Sequence, residues 1–167
     1  MKKYLQRREF LSKMWAWGLG LAAVAAAWTT WDVLQPSQTS GFGGSIKVGD
    51  SEDVPATSVE TVPAAQAYVT KDGDEDIALW WRCPHLGCRV PWCESSGQFE
   101  CPCHGSYFNR LGEYRSGPSP RGMDRFATEV VEGVVIIDTG NITPGAPPGP
   151  ESIDEPVGPP CEGGGQG

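Results

Sequence analysis

The longest apolar stretch of the chain lies close to its first residue. Residues 14–31, MWAWGLGLAAVAAAWTTW, contain no charged side chain over 18 residues. A helix of that length rises about 27 Å, which approaches the thickness of a bilayer's hydrocarbon core. Two tryptophans lie near each end, where aromatic residues mark membrane interfaces: Trp15, Trp17, Trp28 and Trp31. We therefore predict a transmembrane anchor over residues 14–34.

Beyond the anchor, short apolar segments predict strands rather than helices. Residues 67–70 and 77–81 flank an Asp-Gly turn, and residues 126–131 and 134–138 flank Glu-Gly, so each pair predicts a β-hairpin. Residues 98–100 predict one further short strand. Seven prolines spread between positions 55 and 120 leave little room for long helices. The fold class is therefore all-β, a small and mostly antiparallel domain over residues 46–140.

Two segments outside this domain have too few apolar residues to form a core. Residues 35–45 are polar, uncharged and rich in glycine, which is typical of a flexible tether. Residues 141–167 are rich in proline and glycine, and we predict a disordered tail there.

The formal net charge of −8 is unevenly distributed. Five bases and one acid precede residue 14, whereas eight bases and twenty acids follow it. An acidic body would repel nucleic-acid phosphates, so nucleic acid is not an expected partner. The basic start predicts a cytoplasmic N-terminus and a domain on the outer side of a bacterial cytoplasmic membrane.

Residues 6–13, QRREFLSK, resemble a twin-arginine export signal, and we assign residues 1–13 to that cytoplasmic segment. An ordinary anchor with positive-inside charge is one alternative, and a signal cleaved after its run of alanines is another. We favour a retained anchor, because the apolar run is long and two tryptophans follow the alanines. Export would allow the six cysteines to form disulfides.

Both histidines and four of the cysteines fall within 22 residues, in CPHLGC (83–88) and CPCHGS (101–106). A zinc site would more often pair Cys-x-x-Cys with His-x-x-x-His, and an all-disulfide arrangement would leave the histidines unexplained. A [2Fe–2S] cluster with two thiolates on one iron and two imidazoles on the other uses one cysteine and one histidine from each stretch. The pattern favours such a one-electron carrier over the two alternatives.

These stretches, their spacing and the later GPSP (117–120) resemble the Rieske iron–sulfur protein family, in particular the disulfide-bearing subunits of cytochrome bc-type complexes. The resemblance implies a cluster-binding subdomain, about residues 83–122, inserted in the β domain. It assigns the cluster ligands to Cys83, His85, Cys101 and His104, and a disulfide to Cys88 and Cys103. It also implies that Leu86 shields the cluster, that Ser106 hydrogen-bonds a sulfide, and that Pro118 belongs to a covering loop.

The resemblance implies an iron–sulfur subunit of a quinol–cytochrome c oxidoreductase. His104 and His85 would face the quinol, and the electron would pass to a c-type haem beside a b-type cytochrome. Relatives often carry a tyrosine where this chain has Phe108, so we expect a lower reduction potential and menaquinol rather than ubiquinol. The small Rieske subunit of a periplasmic molybdenum oxidase, such as arsenite oxidase, is the alternative. Cys93 and Cys161 have no place in the family pattern, and we favour a bond between them.

Overall fold

The computed structural model of the protein describes residues 7–35 and 42–161. The first of these segments forms one helix, α1 (Arg7–Leu34), which begins before the predicted anchor and ends with it. None of its side chains is buried, and its four tryptophans are among the most exposed large residues of the chain. Its length and apolar composition fit a single membrane span. Residues 1–6 of the predicted signal and residues 36–41 of the predicted tether lie outside the described residues.

The second segment forms ten strands in two antiparallel sheets. The larger sheet has the order β1-β10-β9-β4-β3-β2, and the smaller has the order β5-β6-β7-β8. Two single-turn 3-10 helices, Ser51–Asp53 and Pro63–Ala65, follow β1 and β2. The strands are β1 (Ser45–Asp50), β2 (Glu60–Val62), β3 (Ala67–Asp72), β4 (Glu75–Trp80), β5 (Trp92–Cys93), β6 (Gln98–Glu100), β7 (Tyr107–Phe108), β8 (Tyr114–Ser116), β9 (Arg125–Val131) and β10 (Val134–Thr143).

The all-β prediction and both predicted hairpins are confirmed. Strands β3 and β4 pair from Ala67↔Trp80 to Asp72↔Glu75, with Gly73 at positive φ in the turn. Strands β9 and β10 pair across a turn formed by Glu132 and Gly133, both at positive φ. Such turns match the right-handed twist of antiparallel strands, which explains why the short apolar runs fold back on themselves here.

The smaller sheet is an insertion between β4 and β9 of the larger one. One hydrophobic cluster joins the two sheets, since Tyr68 and Leu79 of the larger sheet pack with Phe99 and Phe108 of the smaller. A second cluster, which includes Val69, fills the remainder of the larger sheet. The inserted sheet is therefore fixed to the β domain by shared core side chains, and an inserted subdomain is confirmed.

The prediction of a disordered tail is wrong for residues 144–161, which we call the C-terminal strap. Strand β10 runs to Thr143, past the predicted domain boundary. After it, the strap lies against the β domain with its inserted sheet, which together we call the head. The amide of Gly145 donates to Asp124 at 3.0 Å, and Ile153 packs on the shared hydrophobic cluster. Residues 162–167 lie outside the described residues.

Ion pairs and one disulfide hold the strap in place. Arg110, whose side chain is 7% exposed, pairs with Glu155 at 2.8 Å, and Arg115 pairs with Glu151 at 2.9 Å. Cys161 is bonded to Cys93 in β5. These partners lie at least 36 residues apart in the sequence. Local composition therefore shows that the strap is poor in apolar residues. It does not show the distant ion-pair and disulfide partners that hold the strap in place instead.

We predict that Cys93→Ser/Cys161→Ser lowers the free energy of unfolding of the full-length protein by about 2–4 kcal/mol, because a bond across 68 residues restricts the unfolded chain. Replacing both residues leaves neither partner of this bond as an unpaired thiol. Urea denaturation, followed by tryptophan fluorescence, measures the change. A midpoint equal to that of the unsubstituted protein would show that the strap adds no stability.

Candidate metal centre

Two six-residue loops carry the predicted ligands, and the strands close both loops in the same way. The first, residues 83–88, lies between Arg82 and Arg89, which form an isolated antiparallel bridge. The second, residues 101–106, lies between Glu100 of β6 and Tyr107 of β7, which also pair. Each loop is thus the end of a β-hairpin whose stem fixes its position.

The backbone inside the two loops is also the same. The amide of Cys83 donates to Cys88 O at 2.7 Å, and the amide of Cys101 donates to Ser106 O at 2.9 Å. Gly87 and Gly105, at the fifth position of each loop, have positive φ and donate to the first cysteine's carbonyl. Glycine adopts that conformation without steric cost. The repeated Cys-Pro-x-x-Gly pattern therefore encodes a turn.

The predicted disulfide between Cys88 and Cys103 is confirmed and joins the two loops. It connects residues 15 apart. Since Cys88 ends the first loop and Cys103 is the third residue of the second, the bond holds the loops side by side. It also leaves Cys83 and Cys101 as free thiols.

Cys83 and Cys101 lie side by side in the shared hydrophobic cluster, and each is 2% exposed. Burial raises the pKa of the Cys83 thiol, and the neighbouring Cys101 thiol raises it further. Hydrogen bonds from the backbone of His85 and from the Ser106 hydroxyl oppose this rise. These donors stabilise a thiolate, which is the form that binds metal. Cys83 therefore lies beside the hydrogen-bond donors that a metal-bound thiolate needs.

The two histidines form a second pair at the protein surface. Their ring centroids are 5.0 Å apart with an interplanar angle of 85°. His104 is exposed, His85 is half-exposed, and Leu86 beside them is 70% exposed. Two thiols inside and two imidazoles outside match the donor set of a [2Fe–2S] cluster with mixed ligands.

The spacing of these donors disfavours a single tetrahedral ion. In residues 7–35 and 42–161, no three of Cys83, His85, Cys101 and His104 bring their ligand atoms within 4.8 Å of one another. The described group that meets this limit is Cys93, Glu100 and Cys161, whose sulfurs are bonded to each other. A donor set divided into two pairs suits two irons better than one zinc.

A third loop, residues 117–120, packs against the second loop. A Cβ at Gly117, whose φ is +98°, would clash with the carbonyl oxygen of Gly105 and with Ser106. The buried Ser106 hydroxyl accepts a hydrogen bond from the Ser119 amide at 3.1 Å. The hydroxyl of Tyr114 donates to Gly117 O at 2.6 Å. The sequence analysis does not predict the contacts of Ser119 and Tyr114, although a glycine before a proline is a local signal that could have indicated a close approach of the backbone.

Two other residues singled out in the sequence have contrasting surroundings. Phe108 is fully buried between Phe99 and Tyr114, the residues it pairs with in the smaller sheet. Pro118 is exposed beside the second loop. Phe108 therefore lies in the core behind the thiols, and Pro118 lies at the surface with the imidazoles.

Comparison with known proteins gives one family and several relatives. A family profile described as the Rieske [2Fe-2S] domain matches residues 44–129. The cytochrome b6-f complex iron-sulfur subunit 2 of Synechocystis sp. is 31% identical over 136 residues, covering 71% of this chain and 76% of that protein. The cytochrome b6-f complex iron-sulfur subunit of Chlorobaculum tepidum is 28% identical over 138 residues, covering 79% and 75%.

Among solved structures, the cyanobacterial plasma membrane Rieske protein PetC3 from Synechocystis is 30% identical to this chain. The superposition covers 55% of this chain and 97% of that one, with a TM-score of 0.45.

We predict that Gly117→Ala prevents stable iron incorporation, because the new methyl group would separate the third loop from Gly105 and Ser106. Iron and sulfide content and visible circular dichroism of the purified full-length protein measure the effect. Gly133→Ala is the matched control, since Gly133 also has positive φ, +81°, but a Cβ there would meet no atom of the described residues within 4 Å. Equal iron content in the two variants would contradict the proposed loop contact.

Proposed function

This chain belongs to the Rieske [2Fe-2S] domain family and carries a Rieske-type cluster, and on that premise we propose that it transfers electrons from quinol to a c-type haem. The family profile covers half of the chain, and the Synechocystis relative covers most of it. The observation that carries the proposal is the division of donors into a buried thiol pair and a surface imidazole pair.

We assign Cys83 and Cys101 to the inner iron and His85 and His104 to the outer iron. When bound, the cluster supplies a one-electron carrier whose redox change can be coupled to protonation of its imidazole ligands. Ser106 stabilises negative charge on sulfur, because its hydroxyl donates to Cys83 and is itself fixed by the Ser119 amide.

The exposed imidazole of His104 is the group we assign to quinol binding. Its ring nitrogen accepts a hydrogen bond from a quinol hydroxyl and holds the proton that the quinol loses. His85 forms the other side of this surface, while Leu86 and Pro118 add apolar contacts and keep water from the ligands.

The relatives reported above are subunits of cytochrome b6-f complexes, so we place this chain in a complex of that type, with b-type and c-type cytochromes. These relatives do not favour the molybdenum-oxidase alternative. We propose that helix α1 anchors the chain with its N-terminus in the cytoplasm, and that the twin-arginine-type signal exports the head. Phe42 packs on Trp80 and Phe126 of the head, and Ser45 begins β1. Of the predicted tether, residues 35–45, we therefore propose that the part before Phe42 lets the head move between quinol and haem.

We expect the complex purified from membranes with this chain to reduce its c-type haem when menadiol is added. Stopped-flow absorbance of the haem measures the rate, and a complex with Cys83→Ser is the matched control that lacks a ligand thiol. Recovery of the chain in a soluble complex with a molybdenum subunit would contradict the proposal. So would haem reduction at the same rate in the Cys83→Ser complex.

The preference for menaquinol rests on Phe108, which has no hydroxyl to donate to a cluster sulfur. We predict that Phe108→Tyr raises the reduction potential by about 20–65 mV, the effect of one hydrogen bond worth about 0.5–1.5 kcal/mol. A redox titration of the full-length protein followed by EPR measures the shift.

Tyr107→Phe is the control for this substitution. Tyr107 precedes Phe108 in β7 and is only half-buried, so removal of its hydroxyl is expected to leave the potential unchanged. If Phe108→Tyr folds and binds iron without a change in potential, the argument for a low-potential quinol is wrong.

A further inference from the structure

Charge is separated along the head of this acidic protein. The segments that surround the candidate centre, residues 81–91, 101–109 and 116–121, contain Arg82, Arg89 and Arg121 and no aspartate or glutamate. Carboxylates gather at the opposite end of β4, where Ser51 contacts both Asp76 and Gly133. The acids at that end are Asp50, Glu52, Asp53, Asp72, Asp74, Glu75, Asp76 and Glu132.

Two of the three arginines near the centre have no carboxylate partner among the residues that the structure describes. Arg121 pairs with Asp124 at 2.9 Å. By contrast, no carboxylate of the described residues lies within 4.0 Å of Arg82 or Arg89, and both are exposed. An unpaired surface cation attracts anions over about one Debye length, about 10 Å at 0.1 M salt.

Aromatic rings hold both of these guanidinium groups in place. Arg82 lies over Trp80, 5.2 Å from the ring centroid, and Arg89 lies over Trp81 at 4.2 Å. Stacking on an indole reduces the conformational entropy that a long side chain loses on binding. The cations are therefore ordered before any partner arrives.

The position of these arginines is unfavourable for the free protein. Arg82 and Arg89 face each other in the bridge that closes the first loop. Like charges placed directly opposite on paired strands destabilise the pair. Local arrangements that cost stability tend to lie at functional sites.

A cleft beside the first loop extends the same surface. It has a volume of about 480 Å³, and its lining includes Arg82, His85, Leu86 and the Arg121–Asp124 ion pair. A carboxylate side chain entering it would meet the Arg82 guanidinium next to the His85 imidazole. The surface thus combines fixed positive charge with the exposed end of the candidate centre.

We infer that Arg82 and Arg89 form a docking surface for an acidic protein, namely the carboxylate-bearing face of the electron acceptor. This inference rests on the proposed electron-transfer function. The acidic far end of the head repels the carboxylate-bearing face of the acceptor. The charge separation therefore orients the head so that the candidate centre points toward the acceptor. Exposed charges of this kind raise the association rate more than the affinity.

Two inorganic oxidants test the sign of the potential around the centre. The full-length protein, loaded with iron and reduced, is mixed in a stopped-flow instrument with ferricyanide, a trianion, or with tris(phenanthroline)cobalt(III), a trication. In each reaction one electron leaves the reduced cluster and converts Fe(III) to Fe(II) or Co(III) to Co(II). Arg82→Gln/Arg89→Gln is expected to slow oxidation of the cluster by ferricyanide about fivefold to tenfold at low salt and to accelerate its oxidation by the cobalt reagent.

Lys47→Gln is the matched control. Lys47 is an exposed cation on the edge strand β1, outside the segments that surround the centre, and has no carboxylate within 4.0 Å among the described residues. Its loss is expected to change either rate by less than about twofold. Rates are compared after correction for the reduction potential of each variant. Equal effects of the two substitutions would overturn the inference.

An experiment with the purified complex then tests whether the haem-carrying acceptor docks at this surface. First-turnover reduction of the c-type haem by quinol is expected to slow about tenfold in Arg82→Gln/Arg89→Gln at low salt and to lose its salt dependence. Haem reduction that is unaffected by these substitutions would overturn the docking surface while leaving the proposed function intact. Absence of haem reduction in the unsubstituted complex would instead overturn the proposed function and, with it, the inference.

Discussion

The structure depends most on the burial of Cys83 and Cys101 in the cluster that joins the two sheets. These thiols pack with Phe99 and Phe108, so the site is continuous with the hydrophobic core. The loops that carry them must therefore lie at fixed ends of hairpins, and the Cys88–Cys103 bond holds those ends together. Each histidine comes to the surface as a consequence, since it lies on the exposed part of a loop whose first cysteine is buried.

Much of this arrangement could be predicted from local sequence. The hairpin turns are encoded by Asp-Gly and Glu-Gly, and the loops by a repeated Cys-Pro-x-x-Gly. The pairing of Cys88 with Cys103 came from the family resemblance, because four cysteines alone leave several pairings open.

Contacts between distant segments could not be predicted. Ser106 was singled out, yet its acceptance of the Ser119 amide depends on how the third loop packs, and that packing requires Gly117 to lack a side chain. The low apolar content of residues 141–167 predicts disorder, including in the C-terminal strap. Arg110, buried in the head, pairs with Glu155 in that strap over 45 residues, and no local pattern marks such a partner. The positions of Arg82 and Arg89 over tryptophan rings likewise appear only in the folded chain.

The central claim is that Cys83, Cys101, His85 and His104 bind one [2Fe–2S] cluster. Electron–nuclear double resonance of the reduced full-length protein, labelled with ¹⁵N only at histidine, tests it most directly. We predict hyperfine couplings from two nitrogens, because both histidines of the chain are assigned to one iron. Detection of no histidine coupling, or of coupling from a single nitrogen, would contradict the ligand assignment.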